Sequence, residues 1–209
     1  MDTAKYHFLA WRRLANELGF DFDEYANEGL KGVGRMESLD IILDWGNIRL
    51  TPEEKLLWAE RKNAWYLEFV LQMDSSEILD GAMAFLEDVK KHGVHIAVGS
   101  SSKNAGTILR QIGLGNFFET MVDGNLITRT KPDPQVFTLC AEALALAPDR
   151  CIVFEDAQSG VDAALAGGFS AVGVGREDVL GRAHLVIPDF KGWTWPALTA
   201  ALLNSSPKP

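Results

Sequence analysis

Apolar residues in the first third of the chain recur at helix spacing, and no strand-like run interrupts them. Phe8, Trp11, Leu14, Ala15 and Leu18 fall on one face, and Gly19 supplies a stop. Met36, Leu39, Ile42 and Leu43 make a second stripe. A third helix opens at Thr51-Pro52-Glu53-Glu54, where Thr51 caps, Pro52 suits the first helical position and Glu54 reaches back as in a capping box. It continues through Leu56, Ala59, Asn63, Leu67 and Val70, so Thr3 to about Met73 predicts a small helical bundle.

After Asp74-Ser75-Ser76 the rhythm changes to helix, strand, helix, strand. The pattern predicts helix 80–92 ending at Gly93, strand 94–98, helix 104–112 ending at Gly113, and strand 119–122. Helix 134–146, strand 151–154, helix 158–166 ending at Gly167-Gly168, and strands 170–174 and 185–187 follow. Continuous apolar strands alternating with helices predict an α/β fold with a Rossmann-like parallel sheet covered on both faces. Residues 1–76 form the helical lobe and 77–209 the α/β core in this reading. Trp193-Thr194-Trp195-Pro196 reads as an aromatic packing element, and the tail from Asn204 to Pro209 as frayed.

Ligands bind beyond the carboxyl ends of strands in such sheets, and three polar motifs sit there. Ser100-Ser101-Ser102-Lys103-Asn104 lies between a strand and a helix, where backbone N–H groups and hydroxyls make an anion site, although such a serine-rich turn taken alone favours a simple cap. Lys131 precedes Pro132, which disfavours helical geometry at Lys131 and presents its ammonium at a loop as a point charge for phosphate. Glu155-Asp156 follows a buried strand directly, and adjacent acids repel unless a cation joins them. Magnesium suits that pair, since it takes oxygen ligands and uses one or two carboxylates plus substrate phosphate.

The 209 residues are 47% hydrophobic and 23% charged, enough for one good core plus a smaller lobe. A net charge of −9 excludes a generic nucleic-acid or anionic-membrane surface, so a phosphate partner must be small and held in a pocket. No apolar run is long enough for a membrane span, and the expected setting is a cytoplasmic monomer. Cys140 and Cys151 read as small buried hydrophobes, while His92, His95 and His184 show no ligand spacing.

A serine turn, then Lys-Pro, then Glu-Asp followed by Ala-x-x-Gly, in that order and spacing, resembles the haloacid dehalogenase superfamily from its second motif onward. That resemblance implies that Ser100 and Lys131 stabilise a transferring phosphoryl group, while Glu155 and Asp156 hold Mg2+. In the helical lobe, residues 3–11, 27–35 and 61–63 resemble the cap of the β-phosphoglucomutases. The implied activity converts β-glucose 1-phosphate to glucose 6-phosphate through a bisphosphate. Arg35 would then bind the distal phosphate, with Lys31, Gly32 and Lys62 nearby, and Ser102 and Asn104 by the substrate phosphate. His7 and Trp11 would lie by the hinge and pocket, against the alternatives of a satisfied histidine and ordinary core packing.

The superfamily's Asp-x-Asp-Gly motif, which carries the nucleophile at the end of the first strand, is absent from these residues. Asp2-Thr3-Ala4 matches the sequence that follows that motif, so the expectation is a start placed too late, a sheet lacking its first strand and a chain inactive as given. A small-molecule phosphatase on the same scaffold and a non-catalytic sugar-phosphate binding protein are the alternatives.

Overall fold

The computed structural model describes residues 3–205, so the expectations that fall on Met1, Asp2 and 206–209 lie outside the described residues. Four helices come first: α1 Ala4–Glu17, α2 Glu24–Glu28, α3 Arg35–Trp45 and α4 Pro52–Val70. The Thr51 capping box is formed in both directions, with Glu54 N to Thr51 Oγ1 at 3.2 Å and Thr51 N to Glu54 Oε2 at 2.7 Å. Helix α1 packs along α4 and buries Phe8, Trp11, Leu14 and Ala15 against Trp65, Tyr66 and Val70. The stripe on α4 differs from the expected one, for Leu56 is exposed and the inward face runs through Ala59, Lys62, Tyr66 and Val70. A lysine occupies a core position there, and hydrophobic periodicity cannot see it.

The remainder alternates as expected: α5 Ala82–Lys91, β1 Ala97–Gly99, α6 Ala105–Gln111, β2 Thr120–Val122, α7 Gln135–Ala143 and β3 Ile152–Glu155. Then come α8 Gln158–Ala166, β4 Ser170–Val174, α9 Glu177–Leu180, β5 Leu185–Ile187 and α10 Trp195–Leu203. All pairings are parallel, and the strands form two separate ladders, β1-β2 and β3-β4-β5. Helix α7 covers β1 and β2, α8 covers β3 and β4, and α7 also touches α8, so one helical layer spans both ladders. Among the described residues no strand joins β1 to β3, and each keeps one unpaired edge.

The strand expected over 94–98 is shorter and later. Val94 N closes the end of α5 on Val89 O at 3.4 Å, and Ile96 is tied to Glu119 rather than to a ladder partner. Helix α10 was not anticipated; Thr194 caps it and Pro196 lies in its first turn, while Trp193 and Trp195 pack on Phe85 and Leu198. Asn204 and Ser205 are not frayed, since their side chains bond to Ala200 O and Ala201 O at 2.9 Å. No helix is long and apolar enough to cross a membrane among the described residues.

Candidate active site

Strand β3 ends in Glu155, whose carboxylate accepts a hydrogen bond from the Lys131 ammonium, both groups being buried. Gly160, in the first turn of α8, makes room for that carboxylate, because a Cβ there would stand 2.2 Å from Glu155 Cδ. Burial pushes the Glu155 carboxyl above its usual range, and the charge of Lys131 opposes the shift. Lys131 Nζ also lies 4.8 Å from the centre of the Phe137 ring. Asp156, next in the chain, is exposed and lines a cleft of about 580 Å³ with Lys5, Lys31 and Arg176.

The serine turn follows β1. Ser102 N donates to Ser100 Oγ and Asn104 N to Ser102 Oγ, each at 3.2 Å. Those two N–H groups are therefore taken by caps instead of standing free for an anion, and each hydroxyl keeps its own proton to donate. The loop after β2 braces the turn, with Gly124 N donating to Ser102 O at 3.2 Å.

The facing wall comes from the helical lobe. His7 and Trp11 are one turn apart on α1, and Lys62 and Tyr66 one turn apart on α4. Lys62 is only 2% exposed; its Nζ lies 3.0 Å from His7 Nδ1 and 4.0 Å from the centre of the Trp11 ring. The His7 and Tyr66 rings meet at 4.2 Å. Arg35, the first residue of α3, donates from Nη2 to Asn63 Oδ1 at 2.8 Å, and Asn104 Nδ2 from the core donates to the same oxygen at 2.8 Å. Burial holds Lys62 and His7 well below their ordinary ranges, and the Arg35 charge adds to both shifts. Burial also lowers Arg35 and pushes the Tyr66 phenol up to about 12.

Two further crossings connect the walls. Ser159 Oγ donates to Lys31 O at 2.8 Å, and Thr130 Oγ1 to Glu37 Oε2 at 2.9 Å. A Cβ on Gly32 would lie 3.6 Å from Lys131 Cδ, so the loop of Lys31 sits directly on the core lysine. The Lys31 ammonium itself pairs with Glu28 at 2.9 Å.

A family profile described as haloacid dehalogenase-like hydrolase matches residues 2–168. The chain belongs to that family. A β-phosphoglucomutase of Bacillus subtilis (strain 168) is 37% identical over 188 residues, covering 89% of this chain and 83% of the relative. A phosphorylated carbohydrates phosphatase of Thermotoga maritima is 31% identical over 179 residues, covering 82% and 78%. The crystal structure of a β-phosphoglucomutase from Clostridium difficile superposes with a TM-score of 0.93 at 38% identity, covering 97% of this chain and 92% of that one.

Within this haloacid dehalogenase-like fold, the sequence-derived candidates fall into three local groups. His7, Trp11 and Lys62 form one cluster; Arg35 reaches Asn104 through Asn63, with Ser100 and Ser102 in the adjoining turn; and Lys31, Gly32, Lys131, Glu155 and Asp156 complete the other side. Asn63, Tyr66 and Ser159 escaped sequence reasoning. Asn63 did carry a signal, as a polar residue on the stripe assigned to the helix interior. The donor set at the strand end is oxygen only, one exposed carboxylate and one already bonded to lysine, and no cluster of three acidic, His or Cys ligands occurs among the described residues. That incomplete set fits magnesium, which takes its remaining ligands from water and substrate phosphate.

Proposed function

We propose that this chain carries the sugar-phosphate site of a β-phosphoglucomutase, interconverting β-glucose 1-phosphate and glucose 6-phosphate by way of a bisphosphate, with the lobes dividing near residue 76. The observation that carries the reading is a cationic centre on each lobe, Arg35 with Lys62 on one and Lys131 on the other, with the lobes joined by the Asn104–Asn63 and Ser159–Lys31 hydrogen bonds. A bisphosphate needs cations at both ends. Lys131 and the Ser100 hydroxyl then meet the oxygens of the transferring phosphoryl group, while Arg35, held by Asn63, grips the distal phosphate. Glu155 and Asp156 would hold Mg2+, which supplies charge neutralisation to the phosphoryl oxygens when bound. Trp11 and Tyr66 keep water from the Lys62 ammonium and strengthen its attraction for the sugar phosphate. The names of the relatives of Bacillus subtilis and Clostridium difficile support the same reading.

Turnover also needs an attacking carboxylate. In the site Glu155 is committed to Lys131, and it and Asp156 are assigned to the cation, so these residues bind substrate without turning it over. The test adds, ahead of Met1, about five or six apolar residues followed by Asp-x-Asp-Gly, which would pair with the open edges of β1 and β3. That extended chain should form glucose 6-phosphate, and Arg35→Ala should reduce this activity much more than hydrolysis of a simple phosphate ester. Phosphate release without glucose 6-phosphate would favour a phosphatase, the reading that the relative of Thermotoga maritima supports.

A further inference from the structure

We propose that Ser159 and Thr130 form a latch that holds the Lys31–Glu37 segment of the helical lobe down on the α/β core, fixing the spacing between the two cationic centres. The consequence for ligand choice rests on the sugar-phosphate reading; the latch itself rests on geometry. Ser159 Oγ reaches the Lys31 carbonyl at 2.8 Å, and Thr130 Oγ1 reaches the Glu37 carboxylate at 2.9 Å. Each bond is made beside a glycine that has no room for a side chain. A Cβ on Gly32 would stand 2.3 Å from Ser159 Oγ, at a φ of +79°, and a Cβ on Gly34 would stand 2.7 Å from Thr130 Cγ2. The segment therefore meets the core at backbone distance at both points.

The core ends of the latch are placed to matter. Thr130 immediately precedes Lys131, and Ser159 immediately precedes Gly160, the residue that makes room for the Glu155 carboxylate. On the other side Arg35 lies between the two latched residues in sequence, and its guanidinium is anchored to Asn63. Closing the latch thus sets Arg35 at a fixed reach from Lys131. A ligand carrying a phosphate at each end gains from that fixed reach, whereas a single phosphate, held by one wall, does not. Ser159 and Thr130 touch neither centre and act as positioning residues.

The test uses the 209-residue chain. Amide hydrogen exchange of residues 30–37 without ligand should accelerate several-fold in Ser159→Ala and less in Thr130→Val, whose bond is solvent-exposed, with Thr130→Ser restoring protection. Calorimetry with glucose 1,6-bisphosphate should show about tenfold weaker binding by Ser159→Ala, the scale of one hydrogen bond, while inorganic phosphate binds as before. Unchanged exchange in both variants overturns the latch whatever the ligand does. Equal weakening for bisphosphate and phosphate overturns it too, because a loss of fold moves both. Faster exchange in a chain that never binds bisphosphate leaves the latch standing and removes the sugar-phosphate reading instead.

Discussion

Each lobe buries one lysine of the candidate site, and the two are buried on opposite terms. Lys131, 7% exposed, meets the carboxylate of Glu155. Lys62, 2% exposed, meets the ring nitrogen of His7 and the faces of Trp11 and Tyr66, with Arg35 acting on it as a second positive charge. Burying an ammonium costs several kcal/mol unless a partner offsets it. The core offsets its cost internally and leaves Asp156 as a spare negative charge for a metal. In the helical lobe no carboxylate among the described residues is bonded to Lys62; His7 Nδ1 and the two aromatic faces offset part of the cost, and an anion arriving from solution can offset the rest. One wall is thus a finished ion pair, and the other is a receptor.

That contrast is broken most severely by removing the finished side's cation. Lys131→Ala strands the buried Glu155 carboxylate and should destabilise the chain by about 3–5 kcal/mol in urea unfolding. A loss below about 1 kcal/mol would mean that the pair contributes no more than an exposed one. Lys62→Met asks the reverse question at the receptor. Replacing an incompletely compensated cation with an apolar chain of similar shape should raise stability by about 0.5–2 kcal/mol and weaken glucose 1,6-bisphosphate binding in calorimetry. If Lys62→Met destabilises instead, the two aromatic faces already compensate the charge, and the receptor reading fails.

The sequence carried the elements well where the punctuation was physical. Gly167-Gly168 ended α8, and the apolar runs at 170–174 and 185–187 match β4 and β5 to the residue. Strand β1 was misplaced because Val94 and Ile96 look like strand residues, yet their backbone is spent on closing α5 and on Glu119. For the site, Ser100, Glu155 and Asp156 could be proposed because polar residues follow or end the apolar runs of β1 and β3, and Lys131 because it precedes Pro132 in the loop after β2. Lys62 was found only by resemblance, since a lysine on an inward helix face contradicts periodicity. Ser159 and the partner of Asn63 show what sequence does not carry. The roles of Asn63 and Ser159 arise from a donor, the Asn104 amide 41 residues from Asn63, and an acceptor, the Lys31 carbonyl 128 residues from Ser159.

Magnesium sharpens the comparison more gently. If Asp156 and Glu155 accept the metal, it should raise the thermal midpoint of the wild-type chain, by linkage worth about 1.4 kcal/mol at ten times the dissociation constant. Asp156→Asn should lose most of that gain, and calcium at equal concentration should give less where the site keeps few protein ligands. A gain unchanged in Asp156→Asn would move the metal elsewhere.

The most local expected effect is a pH slope that belongs to the receptor alone. Burial, and then the charges of Lys62 and Arg35, hold the His7 imidazole well below its ordinary range. Its Nδ1 faces the Lys62 ammonium and its ring lies on Tyr66, and no carboxylate among the described residues is bonded to it to favour the protonated form. As pH falls below about 6.5 the unfolded chain takes up this proton before the folded chain does. Folded stability therefore falls with decreasing pH, at up to about 1.4 kcal/mol per pH unit, until the folded imidazole also protonates. His7→Gln should flatten that part of the stability profile between about pH 7 and 5 relative to wild type. Bound glucose 1,6-bisphosphate should flatten it as well, because an anion beside Lys62 and Arg35 raises the imidazole back toward its ordinary range. A wild-type slope that survives the His7 substitution would assign the titration to other groups, and a slope indifferent to the bisphosphate would place the ligand's charge away from this wall.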